Sequence, residues 1–320
     1  YVLGSQINLF NNVFVNGQDS QNTVIDCNGG TYGFVLVGSS GNSKNNVVIN
    51  NLKIINSTRG SVIDFRFVDY SLISNCIFSN NYGSAQDAST AGDINLSDTS
   101  FCRVENNTSS GGEFFASTRG THLLISNNLI NTSRIDGTAT LHIRINKSYK
   151  CKVTNNTILH SNSAGIYHDN LSANCLYAFN HIENCKSQGI YMESGTYSSI
   201  SNNYISQGTH GSVGIQVIFS APYTSINNNI VGTASDFGIL IGGTRSSVTG
   251  NIVTNVGLEG FRIGDDYITV VGNVAFNCGT GMNLLAATGT CIIGDNILTG
   301  NTTGLVNSGT GNLLSNNGTA

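Results

Sequence analysis

Apolar and polar residues alternate in short runs along this chain, and the runs recur at a nearly fixed period. The clearest marker is a glycine followed by an apolar residue: Gly165-Ile166, Gly189-Ile190, Gly214-Ile215, Gly238-Ile239, Gly260-Phe261, Gly281-Met282 and Gly304-Leu305. Successive glycines are 24, 25, 24, 22, 21 and 23 residues apart. About nine to twelve residues after each comes an apolar residue, a polar one, Asn or a substitute, and a second apolar residue. Ile200-Ser-Asn-Asn-Tyr-Ile205, Val248-Thr-Gly-Asn-Ile-Val253 and Val271-Gly-Asn-Val274 are examples. The first half is looser but in phase, with Ile49-Asn-Asn-Leu52, Ile73-Ser-Asn-Cys-Ile77, Val104-Glu-Asn-Asn107, Ile125-Ser-Asn-Asn-Leu129 and Val153-Thr-Asn-Asn-Thr-Ile158.

Each half-repeat is a short alternating strand closed by turn residues, and no window carries a helical period. A repeat this short cannot bury its own apolar face, so stability must come from stacking one coil on the next. Asn at a fixed coil position can then bond to its copies above and below, and it tolerates the left-handed backbone of tight turns. A leucine-rich repeat would need an L-x-x-L-x-L-x-x-N line, and a left-handed hexapeptide helix a strict six-residue beat; neither is present. We therefore expect an all-β, right-handed, single-stranded parallel β-helix of about 11–12 coils, occupying residues 1–320 as one domain.

Composition agrees with a coil of small turns: one Pro, no Trp, 38 Gly and 10% charged residues. A net charge of −4 with only 14 Lys and Arg argues against nucleic acid as a partner. No run approaches the roughly 20 apolar residues of a membrane span. The chain opens at Tyr1 without Met or a leader, and we expect that a longer chain was trimmed at this end. The eight cysteines form no metal-type C-x-x-C pairs. Cys102, Cys151, Cys175 and Cys291 each lie four residues before the same repeat point, which reads as an inward column of free thiols. Cys151 and Cys175 are the pair placed to form a disulfide if one exists.

With this repeat in place, the chain resembles the pectate-lyase-like right-handed β-helix superfamily, which includes polysaccharide lyases, epimerases, glycosidases and bacteriophage tailspikes. The opening Ile7-Asn-Leu-Phe-Asn-Asn-Val-Phe-Val-Asn-Gly17, followed by Thr23-Val-Ile-Asp26, is similar to the start of such domains. The resemblance covers nearly the whole chain. It implies a fold, while function depends on sites grafted onto it.

In such a coil, the outward residues of the strand after the Gly-apolar step form a strip up the molecule. Alternation sends Asp64 and Arg66 outward, then Asn95 and Ser97, Phe115 and Ser117, His142 and Arg144, Tyr167 and Asp169, Tyr191 and Glu193, and then Gln216 and Ile218. His142, Arg144, Tyr167, Asp169, Tyr191 and Glu193 thus fall on three consecutive coils of a chain poor in charge. Coils rise by about 4.8 Å, so Asp169 and Glu193 could hold their carboxyls roughly 5 Å apart, the spacing of a retaining glycosidase. Like charges this close favour one carboxyl keeping its proton.

The same residues fit elimination or C5-epimerisation of uronic-acid polymers. Arg144 would neutralise the sugar carboxylate, His142 or His168 would remove the C5 proton, and Tyr167 or Tyr191 would protonate the leaving oxygen. Tyr167-His168-Asp169 is faintly similar to the catalytic stretch of alginate epimerases, although the Pro and Glu of that motif are missing. Beside these readings stands a bland one, in which Arg144, Asp169 and Glu193 are a solvated ion-pair ladder and His168, which alternation buries, is a core histidine. Tyr191, Asp64, Arg66, Asn95, Phe115 and Gln216 are the candidate substrate contacts. Asp265-Asp266 is a weak calcium candidate, and no other cofactor or metal is expected. Long coils between Ile63 and Ile94 and between Phe114 and Leu141 should overhang the strip, the first as a loop around Asn80 to Thr90.

The leading expectation is a tailspike-like glycosidase acting on bacterial surface or extracellular polysaccharide, extracellular or virion-associated, with a possible homotrimer. The alternatives are a polysaccharide lyase or epimerase, and a non-catalytic adhesin, receptor-binding or structural β-helix.

Overall fold

The structure, a computed structural model, describes residues 1–30, 33–57, 61–81, 92–110, 113–131, 141–169, 171–208, 211–286 and 289–318. The chain is an all-β parallel solenoid of about 12 turns built on three main parallel sheets. No helix occurs among the described residues. Two compact units divide it, Tyr1–Asn162 and Ser163–Ala320. In the first unit the site-bearing sheet runs through strands Phe34–Val37, Ile63–Arg66, Ile94–Ser97, Phe115–Thr118 and Ile143–Asn146. In the second it runs through Ile166–Asp169, Gln188–Met192, Val213–Val217, Phe237–Ile241, Glu259–Ile263, Thr280–Leu284 and Thr303–Asn307.

The two sequence signals have separate physical causes. The glycine marks a contact too close for a side chain. In the second unit a Cβ on Gly238 would sit 2.3 Å from Val253 Cγ1 and 2.6 Å from the Gly260 carbonyl oxygen, and Gly189, Gly214, Gly260 and Gly281 meet similar obstacles. The Asn-Asn pair splits its duties. The first member, such as Asn127, Asn155, Asn202 or Asn228, takes a left-handed corner with φ near 55°. The second is buried and bonds to its equivalents. Asn128 Nδ2 donates to Asn156 Oδ1 at 2.9 Å in the first unit, and Asn203, Asn229, Asn251, Asn273 and Asn296 form a longer row of the same kind in the second. Where the pair reads Thr-Gly-Asn or Val-Gly-Asn, Gly250 and Gly272 take the corner.

Inside, Ile, Val, Phe and Leu of successive coils stack, and all eight cysteines are free and buried. Sulfhydryls such as Cys76 and Cys102 donate to backbone carbonyls. Burial pushes the Cys76 thiol up to about 11 and the Cys102 thiol up to about 12.

One expectation about facing is corrected. Phe115 pairs with Ile94 and Ile143 and is 0% exposed, so it points into the core, as does Ser117, which hydrogen-bonds Ser148. His142, expected outward, is also 0% exposed. The cause is the corner before the strand. The amides of Phe114 and Phe115 both donate to the His142 carbonyl, at 3.1 and 3.0 Å, so two consecutive residues face inward and strict alternation slips by one. The shared carbonyl recurs at Val62, Ser187, Ser212 and Asp236.

Candidate functional site

In the second unit, Tyr167 and Tyr191 are register partners on adjacent strands and stack at 5.3 Å between centroids, 19° from parallel. Both rings are part-buried on the outer face. Asp169 and Glu193 follow directly on the paired residues His168 and Met192, which face the core. The Tyr167 hydroxyl donates to Glu193 Oε2. Burial, that hydrogen bond and the nearby charges of Asp169 and Glu193 hold the Tyr167 phenol far above its ordinary range. Tyr191 is raised too, by burial and by the same two carboxylates. Both phenols therefore keep their protons at any physiological pH and act as donors. Asp169 is 2% exposed. Next along the sheet, Gln216 pairs in register with Tyr191, and its Oε1 accepts from Gln188 Nε2 at 2.7 Å.

His168 belongs to the interior. Its Nδ1 lies 2.6 Å from the hydroxyl of fully buried Tyr177 and its Nε2 lies 2.8 Å from the Ser172 carbonyl oxygen. The neutral tautomer satisfies both contacts, Nε2–H donating to Ser172 and Nδ1 accepting from Tyr177. Desolvation pulls its pKa down to about 4.

In the first unit, Asp64, Asn95, Ala116 and Arg144 occupy one outward row. Asp64 and Asn95 are outward in register yet only 2% and 1% exposed. Arg66 grips Asp64 with Nε at 3.2 Å and Nη2 at 2.7 Å, and Asn95 Nδ2 donates to Asp64 Oδ1 at 2.8 Å. Arg144 is part-exposed. The expected loop around Asn80 to Thr90 falls largely on residues 82–91, and much of the other excursion on residues 132–140, both outside the described residues. In the Asp265-Asp266 turn, Asp265 Oδ1 accepts from the Asp266 amide at 2.8 Å and Asp266 Oδ1 from the Gly289 amide, so these carboxylates brace a turn.

Sequence reading missed three acids. Asp93 lies in the core of the first unit, bonded to Asn81 and Ser109, and burial pushes it up to about 7. Glu113 has an inaccessible Oε1 without a hydrogen-bond partner, and burial pushes it up to about 8 despite the charge of Arg144. Glu259 lies on the outer face of the second unit's sheet. No pattern separates these from solvated acids, because each falls where the corner disturbs alternation.

Family models now fit what the geometry shows. The model of the right-handed beta helix region matches residues 141–319, and that of the periplasmic copper-binding protein NosD matches residues 20–212. The chain belongs to the right-handed β-helix proteins, within reach of both models. No curated relative matches it at the level of sequence. Among solved structures, tailspike protein 3 of bacteriophage CBA120 superposes with TM-score 0.72 at 11% identity, over 98% of this chain and 53% of the tailspike. A GH87 α-1,3-glucanase catalytic unit from Streptomyces thermodiastaticus strain HF3-3 gives 0.62 at 15% identity, over 100% of this chain and 61% of that one. The periplasmic alginate epimerase AlgG gives 0.63 at 12%, over 98% and 85%. The chain therefore spans about half of the tailspike and three-fifths of the glucanase, and at these identities the likeness is one of fold.

The described residues offer no clustered donor set for the copper in the NosD name. No group of three or more His, Cys, Asp or Glu is placed to hold a metal. Cys thiols are buried beneath backbone carbonyls, Met192 and Met282 are 0% exposed, and His168 has both nitrogens engaged.

Proposed function

We propose that this β-helix binds an extended polysaccharide along the outer face of its second unit and hydrolyses it, with Asp169 and Glu193 as the paired carboxyls. The observation that carries the reading is that two carboxylates on adjacent strands act on the same stacked pair, Tyr167 and Tyr191. Glu193 accepts from the Tyr167 phenol, and Asp169 and Glu193 would divide the acid and nucleophile roles of the reaction between them. Tyr191 offers a part-buried ring edge and a hydroxyl to the sugar. Elimination or epimerisation draws less support, because His168, a candidate base, has both ring nitrogens engaged by Tyr177 and Ser172.

The likeness to a phage tailspike, an α-1,3-glucanase and an alginate epimerase supports polysaccharide as the substrate class. Together with the family model named for a periplasmic protein, it supports a place outside the cytoplasm, extracellular or periplasmic. The test is product release from a panel of bacterial exopolysaccharides, α-1,3-glucan and alginate, read by mass spectrometry. Asp169→Asn and Glu193→Gln should each cut turnover by about 10²-fold or more with binding retained. Unchanged turnover in both would remove this site, unsaturated products would mean a lyase, and intact sugars held by the wild type would mean a binding protein.

A further inference from the structure

A different sheet of the second unit runs through strands His181–Glu183, Tyr204–Ser206, Ile230–Val231, Ile252–Thr254, Val274–Phe276 and Ile297–Thr299. Its inward residues, among them Ile205, Val231, Val253 and Leu298, are buried. The residues just before them point outward and pair in register from coil to coil: Tyr204, Ile230, Ile252, Val274 and Ile297. One row of apolar side chains therefore runs along the surface for four strand spacings, about 19 Å. Tyr204, Ile230, Ile252 and Ile297 are 40–50% exposed, and Phe276, in the next outward row between Thr254 and Thr299, is 51% exposed. The fold does not ask for such a row. At the same coil position the first unit carries Lys53, Ile77, Thr108, Leu129 and Thr157. Polar residues thus serve there, and Thr meets the β-propensity of an outward strand position as well as Ile does.

We propose that this face is where two copies of the chain pack side by side. Its area, its period and its charge each select a second copy as the occupant. The five most exposed side chains present roughly 450 Å² of apolar surface, which is about the apolar share of the 800 Å² that each partner contributes to a standard interface. The ridges of the row repeat at about 4.8 Å, and an identical row offers grooves at the same repeat, so all ridges seat together. A surface without that period would seat one or two. The chain carries a net charge of −4, so copies repel unless they meet where neither is charged. No charged residue stands in either outward row from Tyr204 to Thr299. His181 and Glu183, on the strand before, bond to each other at 2.7 Å and form a polar rim.

The inference does not depend on the saccharide reading, and mass in solution tests it. Full-length protein is sedimented to equilibrium over about 1–100 µM, where the wild type should form a dimer. Ile252→Lys, in the middle of the row, should weaken association by about 100-fold or more, and the milder Ile252→Ser by about tenfold. Thr157→Lys places the same charge at the equivalent position of the first unit and should leave association unchanged. Circular dichroism confirms the fold of each variant. A wild type that stays monomeric up to about 100 µM overturns the proposal, whatever the variants do. A dimer that Ile252→Lys and Ile252→Ser leave intact overturns it too, because the contact would then lie on another face. Equal weakening by Thr157→Lys would also overturn it, since added charge anywhere would then account for the effect.

Discussion

Asp93 shows what a single residue can hide in a coil this regular. Its carboxyl is enclosed between Asn81 and Ser109, and both hydrogen bonds are outweighed by the loss of water, so the group titrates near 7 instead of near 3.8. The sign for stability follows from proton counting. Below about pH 4 the acid is protonated in both folded and unfolded chains and contributes nothing. Between about 4 and about 7 the unfolded chain binds fewer protons than the folded one, so stability falls as pH rises, by up to about 1.4 kcal/mol per pH unit. Above about 7 both forms are ionised and the loss is complete. Asp93→Asn keeps the shape and most of the hydrogen bonding without the charge. It should flatten the decline between pH 4 and 7 and leave the protein more stable than wild type at pH 8, as measured by urea unfolding at a series of pH values. A variant with the wild-type slope would mean that Asp93 is not buried as an acid. His168 is the contrasting case. Its nitrogens are both spent on Tyr177 and Ser172, and its low pKa reports burial rather than readiness for catalysis.

At the scale of strands and corners, the asparagine rows make a graded prediction. Asn229 donates to the Ile200 carbonyl at 2.9 Å and to Asn251 Oδ1 at 3.0 Å, and its own Oδ1 accepts from the side chain and the backbone amide of Asn203. Asn229→Ala removes these four bonds and a fifth, to the Asn227 carbonyl at 3.1 Å, and strands a buried amide, which should cost about 2–4 kcal/mol in unfolding free energy. Asn317→Ala, in the last coil, should cost less than about 1 kcal/mol, because its surroundings are open to water. Equal losses at the two positions would show that the row does not act coil by coil. These rows and the glycine contacts explain why the fold could be read from sequence: each is a backbone requirement repeated at one coil position. The site was legible only in part, for a reason in the same elements. Where two amides share a carbonyl at the corner, two consecutive residues turn inward, and alternation misplaces Phe115 and His142 while keeping Tyr167, Tyr191 and Gln216 on the outer face. Glu113 and Glu259 lie just before the strand positions from which alternation counts, so their burial depends on packing that no periodicity records.

For the molecule as a whole, eight thiols and a family model named for copper meet in one chain. A parallel solenoid brings equivalent residues into register at about 4.8 Å, so cysteines recurring at one coil position could have been metal ligands, disulfides or core filler. The structure decides for the last: all eight are free, all are buried, and the shifts resolved at Cys27, Cys76, Cys102, Cys278 and Cys291 are upward, chiefly through desolvation. A thiol with its pKa near 11 supplies almost no thiolate at neutral pH, and thiolate is the form that attacks reagents, exchanges disulfides and ligates metals. Burial thus preserves unpaired cysteines even in an oxidising compartment, where exposed thiols would be expected to pair. The folded protein should react with essentially no equivalents of a charged disulfide reagent, and all eight thiols should titrate once guanidinium unfolds it. Cu(I) buffered under reducing conditions should leave the midpoint of thermal unfolding unchanged, since a ligand held by the native state would raise it. Fewer than eight thiols in denaturant would reveal a disulfide, and a copper-dependent rise in the midpoint would require a donor set formed outside the described residues.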